Sequence, residues 1–273
     1  MRFLALSQPA LALLCAMLSA PVLGEVAPPP DFQKVKVVEH LGEKIPEDLT
    51  FTDSNGKPFA LKDAFHHDRP VVLTLVYYDC PSLCRPLMDG LVKSLKASGL
   101  TLGKDYDALT VSFSPTETSA LAQQNKARLL PVIGAADTDP NWIFATGQDP
   151  QIHKLADAVG FGYTYVGASK QYAHDAVVFM LSPDARLMRY LYGIEFVPQD
   201  VKFALIEASH GKVGTTLDRL VLQCFQFDPT THRYGLYAVL FVKAGAVLVL
   251  LTLLTLLTIL WRHEVKKKRG AAT

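Results

Sequence analysis

The chain has 273 residues, 49% of them hydrophobic, with 27 lysines and arginines set against 26 aspartates and glutamates for a formal net charge of +1. That length leaves room for one or two domains with a full core. So balanced a charge, with a single basic cluster at the extreme C-terminus, offers no field for gathering phosphates and argues against nucleic acid as a partner.

Residues 1–24 read as an export signal: Arg2, the apolar stretch Leu11 to Leu18, then small residues through Gly24, after which cleavage is expected. Cys15 would leave with it. Residues 25–48 form a linker marked by the stiff run Pro28-Pro29-Pro30, and residues 49–212 the expected domain. Leu49-Thr50-Phe51-Thr52 and the turn Asp53-Ser54-Asn55-Gly56 open it as a hairpin. Val71 to Tyr78 is a continuous β-branched, aliphatic and aromatic run, the pattern of a central strand covered on both faces. Leu87 to Ala97 has helical spacing, with Leu87, Leu91, Val92 and Leu95 on one face.

The periods then alternate. Leu109 to Ser114 and Trp142 to Thr146 read as strands, and Glu117 to Leu130 and Pro150 to Val159 as helices. Ala176 to Leu181 and Leu187 to Tyr192 form a hairpin, and Gln199 to Ser209 a last helix. Such alternation predicts an α/β fold, a central mixed sheet flanked by helices. After a juxtamembrane segment, residues 213–235, comes the expected transmembrane helix, residues 236–261. Within it Ala244 to Trp261 carries no charge and at ~1.5 Å per residue crosses most of a ~30 Å hydrocarbon layer. The basic tail, residues 262–273, belongs on the cytoplasmic side, which places the domain in the periplasm, anchored to the inner membrane by one C-terminal span.

The chemistry gathers where the strand Val71 to Tyr78 ends. Cys80-Pro81-Ser82-Leu83-Cys84 follows it directly, at the strand end where open α/β sheets place their sites. Pro86 fits only in a helix's first turn, so the helix should begin near Ser82 or Leu83, with Cys84 in that turn and Cys80 in the loop before it. Unpaired N–H groups there stabilise thiolates. Two such thiolates can close a disulfide or clamp a soft metal ion. As a staple, a disulfide across so short a loop would restrain the unfolded chain little.

Tyr77-Tyr78-Asp79-Cys80-Pro81-Ser82-Leu83-Cys84, with Tyr172-Ala173-His174-Asp175 ahead of a later strand, resembles the Sco/SenC family. These are thioredoxin-like proteins that bind copper and assist assembly of the copper A centre of cytochrome c oxidase. The resemblance runs from about Leu49 to Ser209 and implies a thioredoxin-like domain whose metal ligands are Cys80, Cys84 and His174. Its implied partners are a copper-accepting oxidase subunit and an upstream copper donor. The chain departs from the family pattern at Ala173, Ser114-Pro115 and Arg85. Two thiolates and a neutral imidazole suit Cu(I), with Cu(II) a further possibility, whereas structural zinc wants a fourth protein ligand.

Two functions stay open: a copper chaperone, or a thiol–disulfide reductase in which Cys80 and Cys84 are the redox pair and Cys80 attacks. Cys224 reads as a buried inert thiol, or else as an auxiliary copper ligand with His232 or a thiol that docks a partner. His66 and His67 read as a solvated loop, and His153 as a helix surface.

Overall fold

The computed structural model describes residues 35–65, 67–210, 225–228, 231–236 and 238–270. Its scaffold is a seven-stranded mixed sheet in the order β2-β1-β5-β4-β3-β8-β9. The strands are β1 (Thr50–Asp53), β2 (Pro58–Ala60), β3 (Val71–Val76), β4 (Asp107–Ser112), β5 (Trp142–Thr146), β8 (Val177–Leu181) and β9 (Leu187–Tyr192). Strands β3, β4 and β5 run parallel, and every other pairing is antiparallel.

The apolar runs explain the centre. Every residue of β3, β4 and β8 is buried, as strands covered on both faces require. The polar groups this buries pair with one another: Thr74 and Thr110 share a hydroxyl hydrogen bond of 2.8 Å, and the Trp142 indole donates to Thr110 at 2.9 Å. Such a core tolerates little loss. Truncating the fully buried Leu73 to alanine would cost about 2–5 kcal/mol.

Helices α1 (Cys84–Ala97), α2 (Ser119–Ile133), α3 (Asp149–Ala158) and α4 (Pro198–Ala208) flank the sheet. α1 packs against both α2 and α4. Its Gly90 permits the close approach of the β9–α4 loop, because a Cβ there would run into the backbone carbonyl of Ile194. Ser94 donates to the Phe196 carbonyl beside it. α2 runs three residues beyond the expected end at Leu130. Pro131 lies in its last turn, and Gly134, at φ +82°, closes it in the left-handed region open to glycine.

Two additions fall outside the main sheet. A small hairpin, β6 (Tyr163–Val166) and β7 (Gln171–His174), precedes β8. A second, β10 (Phe225–Asp228) and β11 (Arg233–Leu236), precedes α5 (Ala238–Gly270). The second hairpin docks on the domain. Arg189 of β9 forms two hydrogen bonds with the Glu207 carboxylate, at 2.8 and 2.6 Å, and Tyr234 donates its hydroxyl to the same carboxylate at 2.6 Å. α5 contains the one stretch among the described residues that is long and apolar enough to cross a membrane, Gly245–Arg262, exposed throughout. Its Thr252, Thr255 and Thr258 hydroxyls bond the helix's own backbone.

The expected linker includes residues that join the sheet's periphery. Val38 donates to the Gly160 carbonyl at 2.9 Å, Ile45 donates to Ala185 at 3.0 Å, and the Ile45 side chain is buried. The expected signal segment and most of the juxtamembrane segment, including Cys224, lie outside the described residues.

Candidate metal centre

β3 delivers its C-terminal end to a loop, Tyr77 to Leu83, that is held by an acid from elsewhere. Glu117 accepts the backbone N–H groups of Tyr78 and Asp79, both at 2.8 Å, and the Ser112 hydroxyl at 2.5 Å. Tyr78 is anchored from its other end, donating its hydroxyl to the Ala145 carbonyl at 2.9 Å and accepting the Ala145 N–H at 3.0 Å. Cys80 therefore leaves a fixed strand end.

α1 begins at Cys84, with Leu83 as its cap and Pro86 in its first turn. The Cys84 N–H has no partner within the helix and donates to the Cys80 sulfur at 3.3 Å. Both cysteines are free thiols, Cys80 partly exposed and Cys84 buried.

His174 ends β7, paired in register with Tyr163 of β6. It is thus the last residue of one strand, three before the next, where the sequence had placed it simply ahead of a strand. Its Nδ1 lies 2.8 Å from the Asp175 carbonyl, which can only accept, so Nδ1 carries the proton and Nε2 keeps its lone pair. Nε2 sits 3.4 Å from Cys84 Sγ. The ring is walled by Phe113, Phe161 and Tyr77, with centroids at 5.1, 5.7 and 6.3 Å. Tyr172 braces Tyr77 and Phe113 edge-on, each at 5.4 Å.

The two sulfurs and Nε2 all lie within 4.8 Å of one another. No other group of three or more histidine, cysteine and acidic side chains comes so close among the described residues. The proton between the sulfurs is unequally shared. Donation from Cys84 holds the Cys80 thiol far below its ordinary pKa against the opposing effect of burial, with help from the Tyr77 hydroxyl and the Cys84 N–H. Cys84 is pushed far up, first because its S–H serves Cys80 and then because it is buried. Burial, followed by its hydrogen bond to Cys80, raises the Tyr77 phenol.

The donor chemistry fits a soft, low-coordinate ion: two sulfurs, and an imidazole whose free nitrogen is aimed by a backbone carbonyl. The remaining histidines do other work. His67 is exposed in its loop, as expected, with Asp107 3.3 Å from its Nδ1, and His66 is outside the described residues. His153 is on a helix surface, bonded to the Asp149 carbonyl at 3.0 Å. His232 packs on Tyr192, centroids 4.3 Å apart, and is not part of the Cys80, Cys84 and His174 cluster. Glu117 went unnoticed in the sequence as a holder of the cysteine loop. The available signal was an acid just beyond the end of β4, which parallel pairing places beside the end of β3.

Comparison with known proteins fits this geometry. The model of the SCO1/SenC family matches residues 38–206, more than half of the chain. A protein of Aquifex aeolicus VF5 provisionally assigned to electron transfer is 27% identical, with a TM-score of 0.56, over 63% of this chain and 96% of its own. A second from the same organism, provisionally assigned to electron transport, is 28% identical, with a TM-score of 0.51, over 62% and 98%. BsSco, a member of the Sco family of cytochrome c oxidase assembly proteins described with a disulfide switch, shares the fold at 17% identity and a TM-score of 0.51, over 64% and 98%. No curated protein sequence matches the chain.

Proposed function

The chain belongs to the SCO1/SenC family, and from that premise we propose that it is a membrane-anchored periplasmic copper chaperone that helps mature the copper A centre of cytochrome c oxidase. Copper is its cargo, taken from an upstream donor through Cys80, Cys84 and His174 and passed to a copper-accepting oxidase subunit by ligand exchange. The observation that carries this reading is the convergence of two sulfurs and a lone-pair nitrogen within 4.8 Å. Cu(I) favours such sulfur-rich, low-coordinate sites.

Support for the anchor comes from α5, apolar and exposed through Gly245–Arg262 and followed by Lys266, Lys267, Lys268 and Arg269. Tethering keeps the domain at high effective concentration near an acceptor that is also in the membrane. Export directed by residues 1–24 puts the domain outside; protease added to intact spheroplasts should then degrade the domain and spare the basic tail. The central test is Cu(I) titration of the reduced full-length chain in detergent, against His174→Ala. One tight site, greatly weakened in the variant, is expected. Equal weak binding in both would end the proposal.

A second reading is favoured by one observation: Cys80 is the partly exposed, low-pKa sulfur of the pair and Cys84 the buried, high-pKa one. That division suits a thiol–disulfide reductase in which Cys80 attacks and Cys84 resolves. Disulfide exchange without copper, undiminished by His174→Ala, would select it.

A further inference from the structure

A cleft of about 430 Å³ opens beside the sulfurs, and His174 is not among the residues that line it. One wall is sulfur-rich, with Cys80, Cys84 and, one helical turn on, Met88. The remainder is mostly neutral, polar at Gln124 and Asn125 and apolar at Leu129 and Phe144, but three lining residues carry formal charge. Arg85 is exposed, with no ion-pair partner among the described residues. Arg128, from α2, pairs with Asp89 through Nη1 alone, and a guanidinium offers five donors. Asp79 adds an exposed carboxylate.

A cleft of that volume takes a small molecule and not the face of a folded protein. Two guanidiniums, a carboxylate and a wall of sulfur are complementary to a molecule bearing carboxylates, an ammonium and a thiol. We propose that the cleft binds a zwitterionic low-molecular-weight thiol, with its carboxylates on Arg85 and Arg128, its ammonium on Asp79 and its sulfur against Cys80. This rests on Cys80 and Cys84 being a functional pair and names the reductant that returns their disulfide to the dithiol form that holds copper.

The chemistry balances with two equivalents. The bound thiolate attacks Cys80 Sγ of the Cys80–Cys84 disulfide. The protein S–S bond breaks, and Cys84 leaves with the electron pair and takes a proton. A second thiolate then attacks the small-molecule sulfur of the mixed disulfide, and Cys80 departs as thiolate. Two small thiols are oxidised to their disulfide, and the protein disulfide is reduced.

The test uses the full-length chain in detergent with the disulfide formed beforehand, reduced under argon by glutathione, by neutral mercaptoethanol or by cysteamine, which has no carboxylate. Rates are corrected for thiolate fraction. Glutathione should show saturation and exceed the other two by about tenfold, the worth of one well-placed ion pair of about 1.4 kcal/mol. Arg85→Ala and Asp79→Asn, both exposed positions, should abolish saturation and bring glutathione down to the mercaptoethanol rate, with Cu(I) binding by the reduced protein unchanged. Rates linear in glutathione and indifferent to both variants would overturn the proposal. Copper titration is read separately, so a chain that bound no Cu(I) yet kept saturable glutathione kinetics would end the chaperone reading and leave the cleft standing.

Discussion

His174 Nε2 stands 3.4 Å from Cys84 Sγ across 90 residues of sequence. Neither residue makes a site alone. The hairpin of β6 and β7 carries the imidazole to the end of β3, and the Asp175 carbonyl turns its lone pair toward the sulfurs.

Replacing His174 by alanine removes one of the three proposed ligands. Partners outside the coordination sphere alone are commonly worth about 10–100-fold in metal affinity, so a drop in Cu(I) affinity of more than about 100-fold is expected. Competition with a Cu(I) chelator measures it. The metal-free protein should also melt lower, because the buried imidazole packs against Phe113, Phe161 and Tyr77 and its truncation leaves a cavity.

The cysteine pair makes the reduced, metal-free protein pH-sensitive. The Cys80 pKa is lowered in the fold, so its contribution is complete above the unfolded thiol value of about 8.5 and is lost as pH falls. The Cys84 pKa is raised, so its contribution is complete below that value and is lost as pH rises above it. At neutral pH the folded pair holds about one proton and the unfolded pair about two. Stability should therefore rise from about pH 5 to about pH 8 and flatten or fall beyond, by less than one full proton's linkage because Cys80 is partly solvated. Thermal unfolding of the wild type against a Cys80→Ser, Cys84→Ser double variant isolates this slope, which the variant should lack.

Glu117→Gln leaves the shape and replaces a carboxylate that accepts two backbone N–H groups with an amide. Hydrogen bonds to charged groups are worth about 1.5–3 kcal/mol, so a loss of about 2 kcal/mol is expected. Hydrogen exchange should quicken at Tyr78 and Asp79 specifically. Copper affinity should fall by less than in His174→Ala, because all three ligands remain.

Glu207→Ala strands the half-buried Arg189 and frees the Tyr234 hydroxyl. The hairpin β10–β11 should loosen, with amide exchange rising across Phe227 and Tyr234 while β3 and β4 stay protected. Unchanged exchange in the hairpin would show that the Phe203–Tyr234 ring contact, at 5.5 Å, holds it without the carboxylate.

The centre of the sheet was legible because its strands are near-continuous apolar and β-branched runs. Val71 to Val76 and Trp142 to Thr146 declare themselves, and the cysteines follow the former with a helix-starting proline behind them. The hairpin that carries His174 was not legible. Its strands have four residues each, and the alternation of Tyr163 and Tyr165 opposite Tyr172 and His174 is too brief to separate from a loop between glycines. Glu117 read as the start of a helix, but the helix begins at Ser119, and the acid turns outward to a loop 38 residues earlier. No local pattern encodes that contact. The peripheral course of Val38 to Ile45 was hidden for a similar reason: its hydrogen bonds go to residues more than a hundred positions away, at Gly160, Ala185 and Leu187.

The uneven exposure of the three ligands gives any ion held there a front and a back. Cys84 and the imidazole sit inside, the latter against rings that leave it no room to swing, and only Cys80 meets solvent. An incoming ligand can approach one edge alone. Under the proposed chaperone function, loading begins with a bond to Cys80 and finishes in the interior, so the cargo would pass through a single doorway whose threshold is one sulfur atom.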